Sequence, residues 1–214
     1  METAVHIPIN AHALEGDLAV PAGARGLVLF AHGSGSGRRS PRNRHVAQLL
    51  NRAGLATLLF DLLTEEEDAI YENRFDIELL TNRLVDATCW ARQQPSVESL
   101  RVGYFGASTG AAAALRAAAR PATEVTAVVS RGGRPDLAMS YLGRVRAPTL
   151  LIVGELDDVV IELNQQAFDA LGMSDKALVI VPGATHLFEE PGALDVVAGH
   201  AEEWFTRHLA DAGH

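Results

Sequence analysis

The pentapeptide Gly106-Ala107-Ser108-Thr109-Gly110 sets a serine among small residues where an apolar run, Leu100 to Phe105, gives way to a helix-like run, Ala111 to Arg120. A serine hydroxyl is a poor nucleophile at neutral pH. It becomes a useful one when a sharp strand-to-helix turn lifts it clear of a sheet and a neighbouring base takes its proton. Glycines at 106 and 110 leave room for that turn and for close approach of a second backbone segment. Ser108 therefore reads as the nucleophile of an acyl-transfer site.

Such a site needs an imidazole to accept the serine proton and a carboxylate to fix its tautomer, both from loops at the same end of the sheet. After the apolar run Leu150 to Val153 comes Gly154-Glu155-Leu156-Asp157-Asp158, and after Ala177 to Val181 comes Pro182-Gly183-Ala184-Thr185-His186. The chain order Ser108, Asp157, His186 places nucleophile, acid and base in an order that hydrolases use. Of the eight histidines, only His186 lies just beyond a late strand and downstream of a suitable acid. Asp158 and Asp136 compete with Asp157 for the acid's role, and the bland alternative for Asp157-Asp158 is a helix N-cap.

The tetrahedral intermediate of acyl transfer carries a negative oxygen that must be met by preorganised donors. One is expected from the backbone N–H of Thr109, immediately after the nucleophile. The other is expected from Ser34 in His32-Gly33-Ser34-Gly35, a loop in which His32 serves as a brace. The competing reading is a plain glycine turn. A GxGxxG phosphate loop starting at Gly33 is excluded by Arg38, which stands where its last glycine belongs.

These loops need a sheet to hold them. Two alternating segments, Val5 to Asn10 and Ala13 to Val20, suggest an opening hairpin or edge strands. Apolar strands follow at Gly26 to Ala31, Leu55 to Phe60, Leu100 to Phe105, Val125 to Ser130, Thr149 to Val153 and Ala177 to Val181. Their continuous apolar character predicts burial on both faces. Helices are expected at about 41–53, 72–94, 111–120, 136–143, 160–171 and 195–210, with Ser40-Pro41 as N-cap and first residue. The alternation gives an α/β fold with a mainly parallel sheet covered on both faces. The segment 136–146 is too short for a cap domain, so the site should be open.

Arg38, Arg39, Arg42 and Arg44 follow the proposed oxyanion loop, and Arg131 and Arg134 follow the strand after the elbow helix. Arg42 and Arg44 are the candidate substrate-binding residues, suited to a carboxylate or phosphate. The competing reading pairs the arginines with surface acids such as Glu65, Glu66 and Glu67. Cys89-Trp90 is expected on the packed face of its helix, and Glu189-Glu190 in a solvated turn.

At 214 residues, 48% hydrophobic, the chain suits a single domain over 1–214. A net charge of -9 and a pI near 5.3 argue against nucleic-acid binding. With a single cysteine, no secretory signal and no long apolar stretch, a cytoplasmic protein without membrane contact or metal is expected. A small-molecule ester is its expected partner, and a homodimer its allowed assembly.

With these parts in order the chain resembles the α/β-hydrolase superfamily and, within it, the dienelactone hydrolase family over nearly its whole length. The segments that carry the likeness are AHGSGSG, GYFGASTG, GELDDVV and PGATHLFEEPGAL. Through HGSGSGRRSPRNRHVA and LLFDLLTEEE it is also similar to the hydrolase half of bacterial proteins fused to a phosphoribosyltransferase. The resemblance implies about eight strands with the second antiparallel, a site at the carboxyl ends of the strands, and hydrolysis without a cofactor. Dienelactone hydrolases proper carry cysteine in the elbow. Ser108 in its place favours an ordinary carboxylic ester. The same parts also suit a thioesterase, a peptidase or an acyltransferase, and a non-catalytic binding module is the reading from another class.

Overall fold

Five runs are buried at every residue: Leu27–Ala31, Ala56–Phe60, Val102–Ala107, Ala127–Arg131 and Thr149–Gly154. Successive side chains of a strand point to opposite faces, so a run buried throughout must be covered on both. The computed structural model, which describes residues 2–10 and 12–210, places these runs at the centre of one eight-stranded sheet. In chain order they are β3, β4, β5, β6 and β7. Around them lie β1 (Glu2–Ile9), β2 (His12–Ala19) and β8 (Lys176–Val181).

The sheet runs β1-β2-β4-β3-β5-β6-β7-β8. The β1–β2 hairpin joins it antiparallel through β4, and all later neighbours pair parallel. Among the described residues there are seven α-helices: α1 (Pro41–Arg52), α2 (Glu65–Asp68), α3 (Ile77–Ala91), α4 (Thr109–Ala118), α5 (Met139–Leu142), α6 (Asp158–Ala170) and α7 (Ala193–Leu209). One core layer lies between the sheet and α3, α4 and α6. A second lies under α1 and α7. Along β6 the sides alternate, with Val128 in the first layer and Ala127 and Val129 in the second. No helix among the described residues is long and apolar enough to cross a membrane.

Local chemistry accounts for several boundaries. Ser40 caps α1 by accepting the Asn43 N–H, with Pro41 as its first residue. The helix expected from about residue 72 instead begins at Ile77, after a 3₁₀ turn over Tyr71–Phe75. Asp76 accepts the Leu79 N–H at 3.0 Å and so starts the helix there. Cys89 is exposed rather than packed, because α3 buries residues 77, 80, 81, 84, 87, 88 and 91 and turns 89 outward. β8 is half exposed, unlike the central strands, because it is a sheet edge. The expected helix 136–143 is a 3₁₀ turn, Pro135–Ala138, followed by the four residues of α5. Nothing larger stands between β6 and β7.

Candidate active site

β5 ends at Ala107 and α4 begins at Thr109, so Ser108 alone makes the turn. Its backbone adopts φ 50° and ψ −122°. That is a left-handed conformation which a non-glycine residue holds at a cost of about 1–3 kcal/mol. Three hydrogen bonds hold it. The Ser108 N–H donates to the Arg131 carbonyl at 3.3 Å, and the Ser108 carbonyl accepts from Ala111 and Arg134 N–H, each at 3.1 Å. Fully buried alanines at 111–114 let α4 lie close against the sheet. On the other side Gly33 brings the β3 loop against the serine, where an added β-carbon would stand 3.1 Å from Ser108 Cβ.

The loops after β7 and β8 bring the expected acid and imidazole together. Asp157 occupies the N-cap position of α6, yet its side chain makes no capping bond. Its Oδ2 lies 2.6 Å from His186 Nδ1 instead. The carboxylate can only accept, so Nδ1 carries the proton and Nε2 is the basic nitrogen. Asp136, the rival acid, accepts from Arg134 Nε and Nη2 at 2.9 and 2.8 Å. Asp158 opens the first turn of α6. The imidazole stands over the β6 end of the elbow, where a β-carbon on Gly132 would come 3.5 Å from His186 Cε1. The following residues anchor the loop through buried Phe188 and through the Thr185 hydroxyl, which donates to Glu190 at 2.6 Å. That bond holds the Glu190 carboxyl below its ordinary range.

In the β3 loop, His32 Nε2 accepts the Leu62 N–H at 3.0 Å while Nδ1 donates to the Gly33 carbonyl at 2.9 Å. Burial is the main reason its pKa falls below that of free histidine. A neutral imidazole tied at both nitrogens braces the loop. The Ser34 N–H points to the elbow and donates to Thr109 Oγ1 at 3.0 Å. The sequence singled out the Thr109 amide, but gave no sign that its hydroxyl would hold the loop. Asn164 was also missed. It is fully buried and donates to the Gly133 and Val160 carbonyls, fastening the Arg131–Arg134 segment to α6.

Arg38, Arg42, Arg44 and Arg134 do pair with acids, as the competing reading expected, but with acids other than Glu65, Glu66 and Glu67, the last of which takes Arg83 instead. Arg38 takes Asp61 at 2.6 Å, and Arg44 takes Glu2 at 3.0 Å and Asp17 at 3.8 Å. Arg44 thus faces the β1–β2 edge. Arg42 reaches Glu189, three residues after His186, at 3.0 Å.

A mainly parallel eight-stranded sheet covered on both faces, with a serine elbow and the Asp157–His186 pair at its strand ends, defines an α/β-hydrolase fold. The family model of the dienelactone hydrolase family matches residues 14–210, and the chain belongs to that family. It is 58% identical to a dienelactone hydrolase from Anabaena variabilis, covering 98% of both chains with a TM-score of 0.94. It is 62% identical over 198 residues to a putative phosphoribosyl transferase of Mycobacterium tuberculosis. That match takes in 92% of this chain but only 44% of the relative's length. Est1E from Butyrivibrio proteoclasticus, 16% identical with a TM-score of 0.81 over 95% of this chain and 98% of its own, shares the fold.

Proposed function

We propose that the protein is a serine hydrolase of carboxylic esters working through an acyl-enzyme. The observation that carries the reading is the 2.6 Å contact between Asp157 and His186, made at the strand ends where Ser108 stands in its strained turn. Ser108 Oγ attacks the ester carbonyl as His186 Nε2 takes its proton, and the alkoxy group leaves with that proton. Water then attacks the acyl-serine by the same base and releases the acid. Asp157 holds the imidazole in the reactive tautomer. The Thr109 and Ser34 amides meet the oxyanion, the Ser34 N–H exchanging its Thr109 hydroxyl partner for the substrate oxygen.

Each of these steps uses only side chains and amides of this chain together with water. An open site suits small acyl groups. Leu137, Met139, Leu156, Val159 and Leu187, on the connections after β6, β7 and β8, are exposed apolar side chains available to them. Turnover of 4-nitrophenyl acetate, butyrate and octanoate, wild type beside Ser108→Ala and His186→Ala, tests the reading. Either substitution should cost up to about 10⁶ in kcat. Undiminished turnover by Ser108→Ala would overturn it.

A further inference from the structure

Asn164 lies in the second turn of α6 and is fully buried. Its amide nitrogen donates to the Val160 carbonyl of its own helix at 2.8 Å and, from 31 residues away in the chain, to the Gly133 carbonyl at 3.0 Å. These partners fix the amide's orientation, because a flipped group would set its oxygen against two carbonyl oxygens. Both hydrogens are thereby spent, and Oδ1 is buried without a hydrogen-bond partner among the described residues. Buried polar atoms are nearly always paired, and an apolar side chain here would avoid the cost of an unpaired one. A polar group kept in the core against that local rule marks a place where its aim matters.

The aim is at the segment that splints the nucleophile. Arg131 accepts the Ser108 N–H, Arg134 donates to the Ser108 carbonyl, and between them the Gly132 N–H donates to the Ile152 carbonyl of β7 at 2.8 Å. Gly133 itself is closely packed. A β-carbon there would clash with Ser130 Oγ and stand 2.7 Å from Ala111 Cβ. Ser130 is fully buried and has the strand parity of Val128, so it faces the core layer under α4 and α6. At the other end of the link, Asp157 is the N-cap residue of α6. Asn164 therefore joins the helix that follows the acid to the segment that holds the nucleophile. His186 lies over the same segment, its carbonyl 3.1 Å from where a Gly132 β-carbon would stand.

We infer that Asn164 is a positioning residue of the active site, which through Gly133 and Arg134 sets the Ser108 turn in place against the Asp157–His186 pair. The inference rests on the hydrolase reading above and adds to it a residue that touches none of the reacting atoms. A non-glycine residue at φ 50° stays there only while its surroundings over-determine it. Loss of the Asn164 bond frees the segment that supplies two of the three hydrogen bonds holding Ser108. Displacement of a reacting group by about 1 Å costs about 10²-fold in rate.

The test uses Asn164→Leu, which keeps a branched side chain and removes both donors, and Asn164→Ala, which removes them without adding bulk. Each should lower kcat and kcat/KM for 4-nitrophenyl butyrate together, by about 10²-fold, as expected of an interaction felt in the transition state rather than in substrate binding. Labelling by a fluorophosphonate should slow in step. Thr149→Val is the control for buried polar bonds in general. It removes a hydroxyl bond to the Ala147 carbonyl, 2.9 Å long, at the start of β7 and away from the strand ends, and should leave kcat at the wild-type value. Hydrogen exchange followed amide by amide reads the splint without turnover: Ser108 and Arg134 should exchange faster in both Asn164 variants, while amides inside β5 and β7 keep wild-type protection. Faster exchange at those two amides with a lowered kcat supports the inference. Wild-type kcat in the folded variants, a loss confined to KM, a loss matched by Thr149→Val, unchanged exchange at the two amides, or failure of both variants to fold overturns it. If the wild type hydrolyses no ester and resists the probe, the hydrolase reading falls, and the exchange pattern alone decides whether Asn164 sets the Ser108 turn.

Discussion

Gly106→Ala probes how tightly the elbow is built. A β-carbon at 106 would stand 2.5 Å from Ala111 Cα, 2.8 Å from Ala111 N and 2.9 Å from the Gly110 carbonyl. Resting carbon–carbon contacts lie near 3.5 Å, so α4 must recede from β5 by about 1 Å. That shift carries Thr109, whose amide is a proposed oxyanion donor and whose hydroxyl holds Ser34. A 1 Å misplacement costs about 10²-fold, and full loss of one oxyanion donor about 10²–10³. A fall of 10²–10³ in kcat on 4-nitrophenyl butyrate is therefore expected. Overpacking should cost only about 1–3 kcal/mol of stability, so the protein remains folded. Gly199→Ala is the control. It lies exposed on α7 with nothing within 4 Å of an added β-carbon, and should keep wild-type turnover while gaining about 0.5–1 kcal/mol. Wild-type kcat in a folded Gly106→Ala protein would refute the reasoning that the elbow's packing sets the donor geometry.

Asp157→Asn should lower kcat about 10⁴-fold by leaving His186 in the wrong tautomer, whereas Asp136→Asn should stay within a few-fold of wild type. The reverse pattern in steady-state kinetics would move the acid to Asp136. His32 also makes a pH-dependent contribution to stability. Its folded pKa lies below the ordinary 6.5, so the unfolded chain binds the proton first as pH falls. Stability should be full above about pH 6.5 and then decline by at most about 1.4 kcal/mol per pH unit until His32 itself titrates. His208 is shifted the same way through burial, so His32→Gln should flatten the melting profile between pH 5 and 7 only in part. A variant profile parallel to wild type would remove His32 from the explanation.

The central strands, the elbow and the loops bearing Asp157 and His186 were legible because each depends on local pattern: apolar runs, glycines around a serine, and polar loops just beyond strand ends. The start of α3 was misread because one side chain, Asp76, ends the preceding turn by capping. The arginine pairings were hidden for another reason. Arg42 and Glu189 are 147 residues apart, and Ser34 and Thr109 75 apart, so only the finished sheet decides who meets whom. Arg131 shows the limit best. It appears in the sequence as one of several arginines near the strand ends, and only packing reveals that it is buried without an acid, whereas Arg39, also without one, is exposed.

The central claim is that Ser108 is the nucleophile, and the most direct test is to label the protein with a fluorophosphonate and map the adduct by intact mass and peptide sequencing. One adduct per chain on Ser108, absent in Ser108→Ala and slowed in His186→Ala, is the predicted result. Labelling at another residue, or ester turnover that persists in protein refractory to the probe, would contradict the account.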